Sequence, residues 1–269
     1  MSTITLPQLE AKPNPKRGPF RLIAHDMRYG LIAARRTPFP MVVALLFPLF
    51  FNVMFNLIQS GEVVDGVASV QFTTAAIVVF VITAAGYFNM ATGMVIAREK
   101  SILKRIRQTP MLKSYHLLSR IAVSIVVIAT SVIIMILVSA VAFGFEIRPQ
   151  AIPALIITFL VGSFTSCALG IAITRLIPSI EGALVVSTAT LFPLLFVSGV
   201  FFPIEGMPAP LQTVIDFLPF APMIEAIRTT MDTTVTGFAF DPLNLAIITA
   251  WGVAGMFIAL KTMKWEPQN

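Results

Sequence analysis

An all-α membrane protein is the fold class this 269-residue sequence predicts: six transmembrane helices with an N-terminal interfacial helix, a helical cytoplasmic segment and short external re-entrant helices. Three observations predict it. The chain is 57% apolar and 12% charged, against about 25% charged residues in soluble domains. Its apolar residues gather into runs near the ~20 residues that cross a bilayer. Finally, all of its 19 Lys and Arg residues except Arg148 and Arg228 fall on one side of those runs, the asymmetry that orients spanning helices.

Residues 1–19 form a polar tail containing Pro7, Pro13, Pro15 and Pro19, and no apolar core of signal-peptide type precedes Phe39. No cleavable signal is expected, and the first run reads as a signal anchor with its N-terminus inside. Over 20–36, Phe20, Ile23, Met27, Leu31 and Ala34 recur at steps of three and four opposite Arg21, His25, Arg28 and Arg35. This is the pattern of an interfacial amphipathic helix. Within a transmembrane domain spanning 37–261, the spans are expected at 39–58, 71–97, 120–143, 152–175, 183–202 and 243–260. A short tail, 262–269, follows. The basic residues place both termini in the cytoplasm of a multi-pass plasma-membrane protein.

The segment 98–120, REKSILKRIRQTPMLKSYHLLSR, is a basic island between two apolar runs. Ile102, Leu103 and Ile106 share a helical face, and Arg98, Lys100, Lys104, Arg105 and Arg107 cover the remainder, so the segment can lie on a membrane surface. Thr109 followed by Pro110 reads as an N-cap and first position of a second short helix. The charge by itself is equally explained as lipid anchoring. A pI near 9.8 does not call for a nucleic-acid partner, because the charges flank spanning runs, where membrane lipid and topology account for them.

The last external stretch, 199–242, is too apolar for a solvated loop and too interrupted, by Pro203, Pro208, Pro210, Pro219 and Pro222, for one spanning helix. Two short helices are expected, at 210–218 and 221–231, with Leu211, Val214, Ile215 and Leu218 on one face, dipping into the outer leaflet or lidding the bundle.

Chemistry of its own is missing from the chain. There is no G-x-x-x-x-G-K-[ST] phosphate loop, no H-E-x-x-H and no G-x-S-x-G. His25 and His116 read as solvated or lipid-facing, and Cys167, alone inside an apolar run, as a small core residue. The span interiors hold no titratable group of the kind around which ion-coupled carriers are readily built, so uphill transport would need another energy source. They do hold neutral polar residues. Asn52 and Asn56, one turn apart, are candidates to line a substrate path, with interhelical bonding as the alternative; Asn89 lies on the second run. Gly162, Ser166 and Gly170 form a row at spacing four that predicts a close-packing seam, as do Ala85, Asn89 and Gly93.

Three stretches resemble the permease subunits of ABC-2 type transporters, in particular the drug-export branch: REKSILKRIRQTP at 98–110, FPLLFVSGVFFPIEGMP at 192–208 and LPFAPMIEAIR at 218–228. Ser101 stands where the family usually has glycine. The resemblance implies that Arg98–Pro110 is a coupling helix docking on a separate ATP-hydrolysing subunit. Arg98, Glu99, Lys100, Lys104, Arg105, Arg107, Thr109 and Pro110 are then the coupling residues, with helix 20–36 as a brace. Glu99, the sole acid of the island, would pair with a neighbouring Arg and hold the two cytoplasmic helices as one lever; an ordinary surface charge is the alternative. The resemblance also implies a pair of ATP-binding subunits, which carry the ATP and Mg this chain does not bind, and a second permease chain, identical or related, with Asn52, Asn56 and Asn89 as candidate residues of the substrate path. The expected function is export of a hydrophobic or amphipathic substrate (drug, antibiotic or lipid-like) by alternating access, with antibiotic efflux and a prokaryotic inner membrane as the setting. A secondary carrier, a membrane-embedded enzyme and a non-transporting scaffold are the competing classes.

Overall fold

The computed structural model describes residues 19–36, 38–59, 63–64, 67–107, 112–200 and 208–262. The tail 1–18, Thr109 and Pro110, residues 201–207 of the external stretch and 263–269 lie outside the described residues, as do the side chains of Lys104, Arg105 and Arg107. Among the described residues the chain is helical apart from loops and a two-residue antiparallel pairing of β1 (Val63–Val64) with β2 (Val67–Ala68).

Helix α1 (Pro19–Arg36) is the amphipathic N-terminal helix, and α2 (Pro38–Ile58) covers the first apolar run. α3 (Ser69–Thr83) passes through a π-helical turn, Ala84–Phe88, into α4 (Asn89–Glu99). The short α5 (Ile102–Arg107) follows, then α6 (Lys113–Phe143), α7 (Ile152–Ile173) and α8 (Ile180–Val197). The last three are α9 (Ala209–Asp216), α10 (Ala221–Met231) and α11 (Pro242–Thr262). Five helical stretches among the described residues are long and apolar enough to cross a membrane: Ser69–Glu99, Lys113–Phe143, Pro149–Leu176, Ile180–Val197 and Pro242–Thr262. The apolar portion of α2 that qualifies, Leu45–Ile58, is shorter.

One expectation changes at the basic segment. In place of a separate second short helix, α6 runs unbroken from Lys113 into the third apolar run. Its sequence contains neither Gly nor Pro, so nothing interrupts the hydrogen-bond ladder where the chain passes from polar to apolar surroundings. Helices α9 and α10 form where the proline spacing places them, and α10 is deeply buried: Met223, Ile224, Ala226 and Ile227, with Phe220 just before them, all sit in the core.

The core is organised by α7. Its neighbours approach so closely that side chains are excluded from the contact. A Cβ on Gly170 would collide with the backbone of Tyr87 in the π turn, lying 2.8 Å from Tyr87 Cα. A Cβ on Gly86 of that turn would lie 2.8 Å from Ser166 Cβ. One on Gly162 would lie 2.6 Å from Met223 Sδ, and Gly252 and Gly255 bring α11 onto Thr165 and Leu169 of the same helix. The predicted row Gly162–Ser166–Gly170 is therefore a packing seam, of the kind that brings helices together where lipid competes equally for apolar contacts. Cys167, fully buried, belongs to it. Tyr87, more than halfway along the Ser69–Glu99 helix, meets the Phe220 ring edge-on at 6.5 Å and shares a 2.9 Å hydroxyl bond with Thr190 of α8. The Leu218–Phe220 turn is thus carried far into the bundle, where Trp251 Nε1 donates to the Phe217 carbonyl at 2.7 Å.

The two glycines on α7 predict unequal costs. Gly170→Ala is opposed by backbone, which has no rotamer to give, and should lower the thermal unfolding midpoint of the detergent-solubilised chain by an amount equivalent to roughly 2–3 kcal/mol. Gly162→Ala meets only the flexible Met223 thioether and should cost less than about 1 kcal/mol. Equal losses would show that the α7–π-turn approach is not the tighter constraint.

Candidate coupling site at the basic end

The site begins where two helices end side by side. At the end of α7 a 3₁₀ turn, Thr174–Leu176, leads into an extended residue, Ile177, leaving carbonyls without helical partners. Arg98, in the last turn of α4, reaches them. Its guanidinium donates to Thr174 O at 3.3 Å, Ile177 O at 2.8 Å and Pro178 O at 3.2 Å, and Nε donates to Glu99 Oε1 at 2.7 Å. The residue is 2% exposed. A buried charge is tolerable when its partners are this complete, and the planar five-donor fork of arginine can serve a carboxylate and a row of carbonyls at once. Beneath it Ile177 packs with Ala91 and Val95 of α4 and Ala183 of α8. Ser179 caps α8 by accepting from Gly182 N at 3.1 Å.

Immediately after Glu99 and the exposed Lys100, the chain reverses through Ser101 at φ 56°, a left-handed conformation that glycine adopts without steric cost. Ser101 N donates to Arg98 O at 3.0 Å. The turn presents α5, whose Leu103 is fully buried while Ile102 stays exposed. Arg98, Glu99 and Lys100 therefore converge on the α4–α5 corner. Lys104, Arg105 and Arg107 follow on the α5 backbone, and Thr109 and Pro110 lie beyond the described residues.

Glu99 does pair with a neighbouring Arg, but that pair faces the α7–α8 turn. The link between α1 and the start of α6 is made by other residues. Asp26 of α1 meets His116 Nδ1 at 2.9 Å and accepts a hydrogen bond from Ser119. His116 is buried, in contrast to the solvated or lipid-facing position expected for it, because α1 lies across it; Gly30 lets the helix approach Val123 at van der Waals distance. Burial, the largest influence on Asp26, pushes its carboxyl upward. The hydrogen bonds from His116 and Ser119, with the attraction of His116 and Arg120, outweigh it and hold the group below its ordinary range. Sequence reading passed over Asp26, although one signal was available: an acid between Ile23 and Met27 on the apolar face of an amphipathic helix.

The three asparagines separate. Asn52 is fully buried and donates to Ser139 Oγ of α6 at 2.7 Å, where Thr74 of α3 also donates at 3.2 Å. Asn56 Nδ2 donates to Asn52 O at 2.8 Å, leaving Asn56 Oδ1 buried without a hydrogen bond. These residues fasten α2 to α3 and α6. Asn89 is exposed at the start of α4 and makes no side-chain bond to that cluster.

Two outcomes follow for this end of the molecule. Arg98→Ala should accelerate amide exchange through 174–178 and cost about 1.5–3 kcal/mol, whereas Ser101→Gly should stabilise by about 1 kcal/mol by relieving the left-handed turn; a neutral Arg98→Ala would contradict the carbonyl-capping role. Because Asp26 is depressed below its unfolded value of about 3.9, its contribution is complete above that pH and is lost as pH falls through the folded value. Exchange protection of α1 should fall on acidification through that window, and Asp26→Asn should flatten the profile.

Comparison with known proteins agrees with this architecture. The model of the ABC-2 type transporter family matches residues 23–231, most of the chain. Nodulation protein J of Rhizobium leguminosarum bv. viciae is 40% identical over 81 residues, 30% of each chain, and that of bv. trifolii 37% over 81 residues, 30% of this chain and 29% of the relative. The Sinorhizobium fredii (strain NBRC 101917 / NGR234) protein is 36% identical over 97 residues, 36% of each. These matches span about a third of the relatives' length. With a family match that runs from α1 through α10, the chain belongs to the ABC-2 type transporter family, as a membrane permease component.

Proposed function

We propose that this chain is the transmembrane subunit of an ATP-driven exporter that moves a hydrophobic or amphipathic substrate outward by alternating access, drawing energy from a separate pair of ATP-binding subunits that hold ATP and Mg. The observation that carries the reading is the α4–α5 corner. A short basic helix is suspended at one end of the bundle, and Arg98 ties its root to the turn between α7 and α8. A push on α5 is then delivered to four helices at once: α4, on which it is built, α6, which follows it, and α7 and α8 through the guanidinium. The Asp26–His116–Ser119 contact carries α1 with α6.

In this reading α2 is a sixth span, both termini lie in the cytoplasm on the side of the basic residues, and α9 and α10 re-enter the membrane from outside. Two permease chains, identical or related, enclose the path. Leu184, Val185, Phe192 and Phe196, exposed along α8, supply an apolar face for the seam, and Asn89, exposed at the start of α4, is the candidate polar lining; Asn52 and Asn56, buried and bonded between α2 and α6, would join it only if those helices part during the cycle. Drug, antibiotic or lipid-like cargo suits spans rich in Phe, Met and aliphatic residues, and efflux across a prokaryotic inner membrane is the corresponding setting.

Gentle solubilisation of the tagged chain tests the energy source. An ATP-binding subunit should co-purify with the native chain and be lost, or retained at least about tenfold less, with the double variant Lys104→Ala, Arg105→Ala, whose insertion is checked separately; removing two charge-assisted contacts is worth at least that factor. Absence of any ATPase under all conditions would defeat the proposal and favour a scaffold.

A further inference from the structure

An apolar groove of about 380 Å³ lies between α7, α8 and α11, and its basic end adjoins the Thr174–Ile177 turn that Arg98 caps. Ala172 and Ile173 form its floor, with Leu194 on one wall and Ile258 on the other. Its two ends differ. Arg175 and Thr262 stand at the basic end, and Pro219 and Phe220 at the other, beside Trp251. Arg175 is exposed, and among the described residues its guanidinium makes a single long bond, to the Thr262 carbonyl at 3.5 Å. Lys261, adjacent in sequence, places its ammonium 4.1 Å above the Phe257 ring. The groove is thus an apolar shaft with a cationic mouth.

Its length matches one leaflet. From Trp251 to Thr262, roughly eleven residues of α11 rise ~16 Å, against ~15 Å for half of a ~30 Å hydrocarbon core. The Leu218–Pro219–Phe220 turn, fixed by the Tyr87 and Trp251 contacts, marks the deep end. A cationic mouth at headgroup depth attracts anionic lipid, and the shaft below it offers almost nothing for a polar ligand to bond.

We infer that this groove is a one-leaflet lipid site, seating one acyl chain of an anionic phospholipid whose headgroup phosphate is held by Arg175. The site uses the membrane placement of the bundle and is independent of the ATPase. A lipid seated there touches the floor of α7 and the walls of α8 and α11 together, so its occupancy biases the spacing of these helices.

The test uses the full chain in nanodiscs with Trp265→Phe, which leaves Trp251 as its only tryptophan. Mid-chain-brominated phosphatidylglycerol should reach half-maximal quenching of Trp251 at about fivefold lower mole fraction than the corresponding phosphatidylcholine, the factor that one basic residue near a lipid phosphate supplies. Arg175→Gln should bring the two curves together while quenching persists. Ala172→Phe, which fills the floor, should reduce quenching by both lipids. Coincident curves in the parent protein, or a preference that survives Arg175→Gln, would overturn the inference. So would absence of quenching by either lipid, which would mean that a second copy of the chain covers the groove.

Discussion

The contact on which the bundle depends is the approach of α7 to the π-helical turn in the second long helix, where Gly170 lies against the backbone of Tyr87. Surrounded by lipid, helices gain little by exchanging one apolar neighbour for another, so association rests on how closely their backbones can come. The same helix accepts Met223 at Gly162, and α11 through Gly252 and Gly255. Once Tyr87 is set in this way, its ring and hydroxyl set Phe220 and Thr190. The turn leading into α10, and α8, therefore take their positions from one close approach near the middle of the structure.

Charge is handled at the ends by a related economy. Arg98 is buried, yet each of its three guanidinium nitrogens donates to a carboxylate or to a carbonyl of the turn that follows α7. The arrangement satisfies two needs together: the charge is neutralised, and the helix end is capped. Its mechanical consequence is that the corner bearing α5 and the α7–α8 turn form one body. Asp26, bonded to His116 and Ser119, does the equivalent for α1 and α6. A basic island whose electrostatics alone would suit lipid anchoring thereby becomes a junction of several helices.

Much of the fold was legible beforehand because membrane burial writes itself into composition. The long apolar runs, the proline-delimited pair α9 and α10, and the small-residue row on α7 could each be read from residue type and spacing. The departure from glycine at Ser101 was also visible, and the left-handed turn found there gives its meaning. Other features were not readable. Asn52 and Asn56 share a helical face in the sequence, but their partners Ser139 and Thr74 come from helices distant along the chain. His116 looked solvated because nothing local indicates that α1 crosses over it. The length of α6 was not readable either, because its continuity from Lys113 into the apolar run depends only on the absence of a breaker.

By itself the sequence determined which segments are long and apolar, at which of their ends the basic residues gather, and which helix faces are narrow enough to touch. These properties follow from hydration and steric size, and both belong to individual residues and their period. Only the tertiary structure decided what Arg98, Asp26 and Tyr87 bind, and that Arg175 stands at the mouth of an apolar shaft one leaflet deep. Those outcomes depend on which helix ends come side by side. In lipid that choice is made by shape complementarity and by the need to satisfy every buried polar group, neither of which can be evaluated for one segment alone.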